Sequence, residues 1–193
     1  MIRANIVVFG TERSGTTVLA NMLRAVGWNF VPLKECYARN CEDARIRDWN
    51  RAHAECGLDY ELTEADKQQQ RDIMARYDGL APWVIKDPAM VLTLHLWWWI
   101  LEPQAMLLWI HRPVEHVARS MRFHRFKQHN DDEVPTPKAA MERALHRRQM
   151  AEQQFEQWGG LKHDFSLGAL RSAACMFVPK RLEPRDWPEG EKA

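Results

Sequence analysis

Residues 6–17, IVVFGTERSGTT, constrain this chain more than any other stretch. Ile6 to Phe9 have the pattern of a buried strand. Gly10 breaks it, Gly15 closes a short turn, and Val18, Leu19, Met22 and Leu23 follow at helical spacing. A strand, a glycine-bracketed loop and a helix in that order turn several backbone N–H groups inward at the positive end of the helix. That geometry suits a phosphate. Any fold for this chain has to put the loop at the end of one element and the start of the next.

The interval from Gly10 to Gly15 is that of a P-loop, G-x-x-x-x-G-K-[ST], but Thr16 occupies the lysine position and the nearest positive charge is Arg13. Over the whole chain 27 basic side chains stand against 26 acidic ones, a formal charge of +1 that gives no global attraction to nucleic acid or a membrane surface. An anion site must then be local, and no nucleic-acid partner is expected. At 193 residues the chain fits one domain, read here as 1–178, with a charged, proline-bearing tail at 179–193 expected to be extended or disordered. No apolar run reaches the ~18 residues of a membrane span. The nearest approach, Leu92 to Ile110, is interrupted by His95, Glu102 and Gln104. Met1 leads almost directly into the first strand without the features of a secretory signal, so a cytoplasmic location is expected, with Cys36, Cys41, Cys56 and Cys175 as reduced thiols. Cys36, Cys41, His53 and Cys56 lack a C-x-x-C knuckle, and no metal site is expected of them.

Past Gly27, the C-cap of the first helix, strand and helix signals alternate. Trp28 to Val31 reads as a short second strand ended by Pro32, Leu33 to Cys41 as a loop, and the run from Glu42 as a helix ending near Gly57. Thr63 and Asp66 form an approximate capping box for a polar helix to about Tyr77. Asp78-Gly79 and Pro82 mark a turn, Trp83 to Ile85 a strand, and Pro88 the start of a helix carrying Trp97, Trp98 and Trp99. Three consecutive tryptophans cover most of a helix circumference, so at least one is expected to face a groove, a partner or a second copy of the chain. Ala105 to Ile110 is the strongest strand after the first, and Pro113 opens a helix with Val114, Val117 and Met121 on one face. Asn130 to Pro137 reads as a polar loop. Thr136 caps a long helix from Pro137 to Trp158 that Gly159-Gly160 stops, and Ser166 to Phe177 reads as a final helix. The alternation predicts an α/β fold of P-loop type, three layers α/β/α around a parallel sheet of about four or five strands. Ligands of such sheets lie at the carboxyl ends of strands, where Gly10, Lys86-Asp87 and His111-Arg112 stand.

Arg112 opens the segment RPVEHVARS, and Ser120 lies eight positions on, just over two helical turns away. A guanidinium and a hydroxyl so placed can pinch one phosphate. With the first loop, this pair resembles the sulfotransferases. In that family a basic residue followed by Ser-Gly-Thr-Thr grips the 5′-phosphosulfate end of the donor. An Arg at a strand end with a Ser eight residues later binds the 3′-phosphate of 3′-phosphoadenosine 5′-phosphosulfate (PAPS). The resemblance covers about residues 4 to 125. Lys86-Asp87-Pro88 is similar to a segment of a bacterial branch, with Ala89 where an arginine is common, and Asn40 to Asn50 is similar to that branch's loop and helix after the second strand. Beyond Arg125 the family's further strand and acidic-aromatic motif are not read in this sequence.

The resemblance implies a PAPS-dependent enzyme in which Thr11, Arg13, Ser14, Gly15, Thr16 and Thr17 hold the 5′-phosphate while Arg112 and Ser120 hold the 3′-phosphate. Arg13 would stabilise the leaving group by charge alone, because an arginine stays protonated, and Lys86 would add a second cation. Glu42 is the first choice of general base, followed by Glu35, Asp87 and His95. No metal is expected. The acceptor class stays open between a small molecule and a carbohydrate, and a homo-oligomer joined through the tryptophans and the long late helix is compatible with the pattern. Two rival readings accompany this one: a P-loop small-molecule kinase with Asp87 as base or magnesium ligand, and a non-catalytic binding protein on the same scaffold.

Overall fold

The computed structural model describes residues 4–31, 36–37, 41–128 and 135–169, with the backbone alone at 36–37 and 123–128. Four parallel strands form the main sheet: β1 (Asn5–Phe9), β4 (Val84–Lys86), β5 (Ala105–His111) and β6 (Lys162–Ser166), in the spatial order β4-β1-β5-β6. A small antiparallel pair, β2 (Cys36–Tyr37) and β3 (Glu42–Asp43), stands apart from it. The helices are α1 (Thr16–Ala25), α2 (Ala44–Ala52), α3 (Glu64–Met74), α4 (Met90–Leu101), α5 (Val114–Gln128) and α6 (Pro137–Gln157).

Side chains of a strand alternate between faces, and here both faces are apolar, so β1 reads as a continuous hydrophobic run. Val7, Phe9, Ile85, Leu107 and Trp109 meet Ile46 and Trp49 of α2, Ile73 and Met74 of α3, Leu94 and Trp97 of α4, and Ala151 of α6. Ile6, Val8, Val84, Leu108 and Ile110 meet Leu19 and Leu23 of α1 on the other side. These two clusters make the three layers expected from the sequence. A third, smaller cluster joins α5 to α6 through Val117, Ala118, Met121, Ala140 and Ala144. The capping box at Thr63 and Asp66 is present with both reciprocal bonds, and Thr136 caps α6 by accepting from the Ala139 amide.

Several boundaries differ from the sequence reading. Trp28 to Val31 is no strand: only Asn29 bridges to Trp83, donating to the Pro82 carbonyl at 2.9 Å and accepting from the Val84 amide at 2.8 Å. Glu42 and Asp43 pair as β3 rather than opening a helix; Asp43 is the N-cap of α2, its side chain accepting from the Arg45 amide. The carboxyl-terminal strand that was not read exists as β6, in register with β5 from Leu107↔Lys162 to His111↔Ser166. One helical turn, 167–169, follows it. The rest of the expected final helix, the tail from 179, and the larger part of the expected loop at 130–137 lie outside the described residues. The tryptophan triplet divides as the helix geometry requires. Trp97 is fully buried and donates to Asn50 Oδ1 at 2.8 Å, Trp98 is partly buried, and Trp99 is 40% exposed with its indole N–H on Gln70.

His95, on α4, is half-buried, and burial pushes its pKa below the usual 6.5. Its Nε2 faces the Gly57 carbonyl at 3.3 Å, while Nδ1 is buried with no hydrogen-bond partner among the described residues, an arrangement that suits the neutral Nε2–H tautomer. Below pH 6.5 the unfolded chain takes up a proton that the folded one refuses, so stability falls as pH drops through this window. Replacing His95 by Gln should flatten that acid limb, read as urea midpoints from pH 7 to pH 5.

Candidate functional site

The loop between β1 and α1 is shaped by two close approaches. A Cβ at Gly10 (φ +152°) would lie 2.4 Å from the Ile110 carbonyl oxygen, and one at Gly15 (φ +111°) 2.6 Å from Leu167 Cδ1. Glycine is the residue that permits both. Gly10→Ala should therefore cost about 3 kcal/mol, from a backbone clash added to a left-handed conformation, measurable by denaturant unfolding. Within the loop, Ser14 folds back so that its amide and its hydroxyl both donate to the Thr11 carbonyl, at 3.2 and 2.7 Å. Thr11, Ser14 and Thr16 are buried. Gly15 is the N-cap of α1 and supplies no side chain there, and the first internal bond of the helix runs from the Leu19 amide to the Gly15 carbonyl. The amides of Thr16, Thr17 and Val18 thus lack an intrahelical carbonyl, and they point where the helix dipole is positive.

Arg13 is exposed and sits at φ +67°, a left-handed conformation that disfavours any residue but glycine. This backbone turn aims its side chain across the sheet edge, where Nε donates to Ser120 Oγ of α5 at 3.0 Å, a contact spanning 107 positions of sequence. Arg112 follows β5 immediately, half-buried. Through Arg13 and Ser120 the side chains of the two sequence motifs touch at the carboxyl edge of the sheet.

On the other side of the loop, Lys86 at the end of β4 is 2% exposed. Its Nζ donates to Glu42 Oε1 at 2.6 Å and to Thr17 Oγ1 at 3.2 Å. Glu42, Lys86 and Thr17 come from three different elements. The hairpin that carries Glu42 is pinned by the next residue: Asp43 accepts from Arg76 Nη1 at 2.8 and 2.9 Å and from the Tyr77 hydroxyl at 2.9 Å. Burial raises the pKa of the neighbouring Cys41 thiol, which donates to Asn21 Oδ1.

The remaining candidates are engaged elsewhere. Asp87 is 2% exposed; Oδ2 accepts from Asn50 Nδ2 at 2.7 Å and Oδ1 from the Ala89 amide at 3.0 Å. Its carboxylate closes the start of α4 rather than facing the crevice. His95 bonds to Gly57, and its amide donates to Gln154 Oε1. Glu35 lies outside the described residues. His53 contacts the Trp49 carbonyl and Asp66, and among the described residues no group of three His, Cys, Asp or Glu side chains is placed to hold a metal. Sequence reasoning missed Asn50, fully buried, whose Oδ1 takes hydrogen bonds from Thr93 and Trp97 while its amide holds Asp87 beside Lys86. It also missed Glu12, next to Arg13 in the loop, which pairs with Arg143 and Arg147 of α6 at 3.1 and 3.6 Å.

Fold and site together define a three-layer α/β/α protein with a glycine-bracketed loop running into a helix at the carboxyl edge of a parallel sheet. Residues 5–164 match the sequence profile of the sulfotransferase family, and the chain belongs to that family. The match runs through α6 to β6, well past Arg125, where the resemblance was expected to fade. A sulfotransferase domain from the curacin biosynthetic pathway shares the fold, with a TM-score of 0.52 and 12% identity over 95% of this chain and 77% of that one. The Thermus thermophilus protein TT1252 aligns at a TM-score of 0.39 and 16% identity, over 93% of this chain and 100% of its own. A comparison with curated proteins finds no match. Among the described residues no helix is long and apolar enough to cross a membrane.

Proposed function

We propose that the protein transfers a sulfuryl group from PAPS to a hydroxyl or amine of a small-molecule or carbohydrate acceptor. The observation that supports this reading is the Arg13–Ser120 hydrogen bond, which joins the amino-terminal loop to the helix that follows Arg112. A nucleotide with phosphates at both ends of its ribose needs two anion grips facing each other, and this reading assigns them to the two motifs that Arg13 and Ser120 join. The amides of Thr16, Thr17 and Val18 would receive the 5′-phosphate. Arg112 and Ser120 would receive the 3′-phosphate, Ser120 exchanging its bond to Arg13 for one to the ligand.

Sulfuryl transfer, like phosphoryl transfer, is helped mainly by in-line positioning and by cancelling charge on the departing oxygen. In this reading the acceptor oxygen or nitrogen forms its bond to sulfur as the bond from sulfur to the bridging phosphate oxygen breaks. Arg13 and Lys86 face the charge that builds on that oxygen. Glu42 takes the acceptor's proton: Lys86 holds Oε1, and Oε2 is the oxygen for the transfer. The kinase alternative asks Asp87 to act as base or magnesium ligand, yet that carboxylate is buried and hydrogen-bonded through both oxygens.

Calorimetric titration separates these readings. Adenosine 3′,5′-bisphosphate should bind without magnesium, and ATP with magnesium should bind far more weakly. Magnesium-dependent ATP binding with no affinity for the bisphosphate would overturn the proposal, and tight binding of the bisphosphate without turnover of PAPS on any acceptor would make the protein a binding module.

A further inference from the structure

Glu42 stands on a hairpin too small to hold itself. β2 and β3 share two residue pairs, Cys36↔Asp43 and Tyr37↔Glu42, apart from the main sheet. A ladder that short is marginal in water without outside contacts. What fixes β3 is a run of three consecutive side chains, each bonded to a different element. The Cys41 thiol donates to Asn21 Oδ1 of α1 at 3.3 Å, and Glu42 Oε1 accepts from Lys86 Nζ at the end of β4 at 2.6 Å. Asp43 accepts from Arg76 and Tyr77, which lie in the one-turn 3-10 helix Ala75–Tyr77 that follows α3. Cys41 itself is left-handed, at φ +60°, a backbone cost that persists where the surroundings over-determine the conformation.

The three anchors are unequal. A thiol is a weak donor. Asp43 is 4% exposed, and its two oxygens accept from the Arg45 amide at 2.9 Å, from Arg76 Nη1 at 2.8 and 2.9 Å, and from the Tyr77 hydroxyl at 2.9 Å. The bond from the amide caps α2. The bonds from Arg76 and Tyr77 serve a different end, because they tie the hairpin to the stretch of chain that leads into β4. Tyr77 packs edge-on against Trp83, ring centroids 5.5 Å apart, and Val84–Lys86 follows at once. Glu42 and Lys86, 44 positions apart in sequence, are thus placed from one unit. We propose that Asp43 is a positioning residue: with Arg76 and Tyr77 it sets the Glu42 carboxylate against the Lys86 ammonium and so aims Oε2 for the proton transfer assigned to Glu42 above. The proposal rests on the sulfotransferase reading for the use of that proton. A general base works only within hydrogen-bond reach of the proton it removes, and a side chain on an unanchored hairpin is not held to that tolerance. Asp43 acts through its neighbour and not on the reacting atoms.

The test uses the full chain and two measurements. Asp43→Asn keeps a good N-cap side chain and an acceptor for Tyr77 but loses the charge that holds Arg76. In protein carrying isotope-labelled lysine, magnetic resonance follows the exchange of the Lys86 ammonium protons with water. Exchange should be slow in wild type, where the group is 2% exposed and bonded to Glu42 and Thr17, and about tenfold faster in Asp43→Asn, because each loosening of β3 frees it. The second measurement is urea unfolding of wild type, Glu42→Gln, Lys86→Met and the double variant, repeated with Asp43→Asn throughout. The interaction between Glu42 and Lys86, expressed as a ratio of unfolding constants, should shrink about tenfold in that background. A residue that only capped α2 would shift all four stabilities alike and leave both the ratio and the exchange unchanged, and that result overturns the proposal. Exchange needs only the single variant, so it decides the matter even where a multiple variant does not fold. A wild type that binds no adenosine 3′,5′-bisphosphate, while Asp43→Asn still frees the ammonium, upholds Asp43 as the anchor of the pair and defeats the sulfotransferase reading instead.

Discussion

Lys86→Met is expected to lose about 3–5 kcal/mol of stability and all measurable transfer activity. Lys86 is 2% exposed and Glu42 8%, so removing the ammonium leaves a carboxylate in a dry place with no cation at 2.6 Å to offset its desolvation. The Thr17 hydroxyl also loses its partner. A second variant separates the structural effect from the chemical one. Lys86→Met combined with Glu42→Gln removes both charges and should recover most of the lost stability, because the unpaired buried ion is what costs, not the absence of the pair. Activity should stay absent in the double variant. Urea unfolding of the four proteins in the cycle gives the coupling directly. A single-variant loss below about 1 kcal/mol would mean that water reaches the pair and that the site is looser than these distances imply.

Arg13→Ala is expected to behave in the opposite way, with the fold intact and turnover reduced by about 10²–10³-fold. Arg13 is exposed and its side chain bonds to Ser120 at the solvent-facing surface, so stability should change by less than about 1 kcal/mol. Its left-handed backbone adds a sharper expectation. Alanine keeps the strain at φ +67°, whereas glycine relieves it, so Arg13→Gly should be equally inactive and unfold no earlier than Arg13→Ala despite the flexibility of its unfolded chain. Stability held at a strained loop residue while activity is lost would mark Arg13 as placed for chemistry rather than for folding. Near-normal PAPS turnover by either variant would remove Arg13 from the mechanism.

The parts of this fold that could be read from the sequence are those whose causes are local. A strand, two glycines and an apolar-periodic helix occupy the consecutive positions from Asn5 to Ala25, and each signal names its neighbour in space. Arg112 and Ser120 were legible for the same reason, since a strand end and the following helix fix their separation. Strand β6 was not, because it sits at the edge of the sheet: KHDFS has exposed His163 and Asp164 and no apolar run, and its pairing with β5 comes from backbone bonds that leave no mark in side-chain pattern. Asn29 misled in the other direction, for an apolar run Trp28–Val31 forms one bridge where a strand was expected. Glu42 was singled out through resemblance to relatives, while its partner at 2.6 Å lies 44 positions away and no spacing rule connects them. The Glu12–Arg143 pair and the Asn50 hub belong to the same kind: contacts between elements, created by how helices pack over the sheet.

The account turns on one nucleotide being held at both ends, and the most direct measurement is the affinity of three ligands for wild type and Arg112→Ala: adenosine 3′,5′-bisphosphate, adenosine 5′-monophosphate and adenosine 3′-monophosphate. Two grips in one crevice predict that the bisphosphate binds wild type tightest. They also predict that Arg112→Ala lowers its affinity at least about tenfold, to the level of the 5′-monophosphate, whose own binding is unchanged. If Arg112→Ala weakens the 5′-monophosphate as much as the bisphosphate, or weakens neither, the two motifs do not share a ligand and the account is wrong.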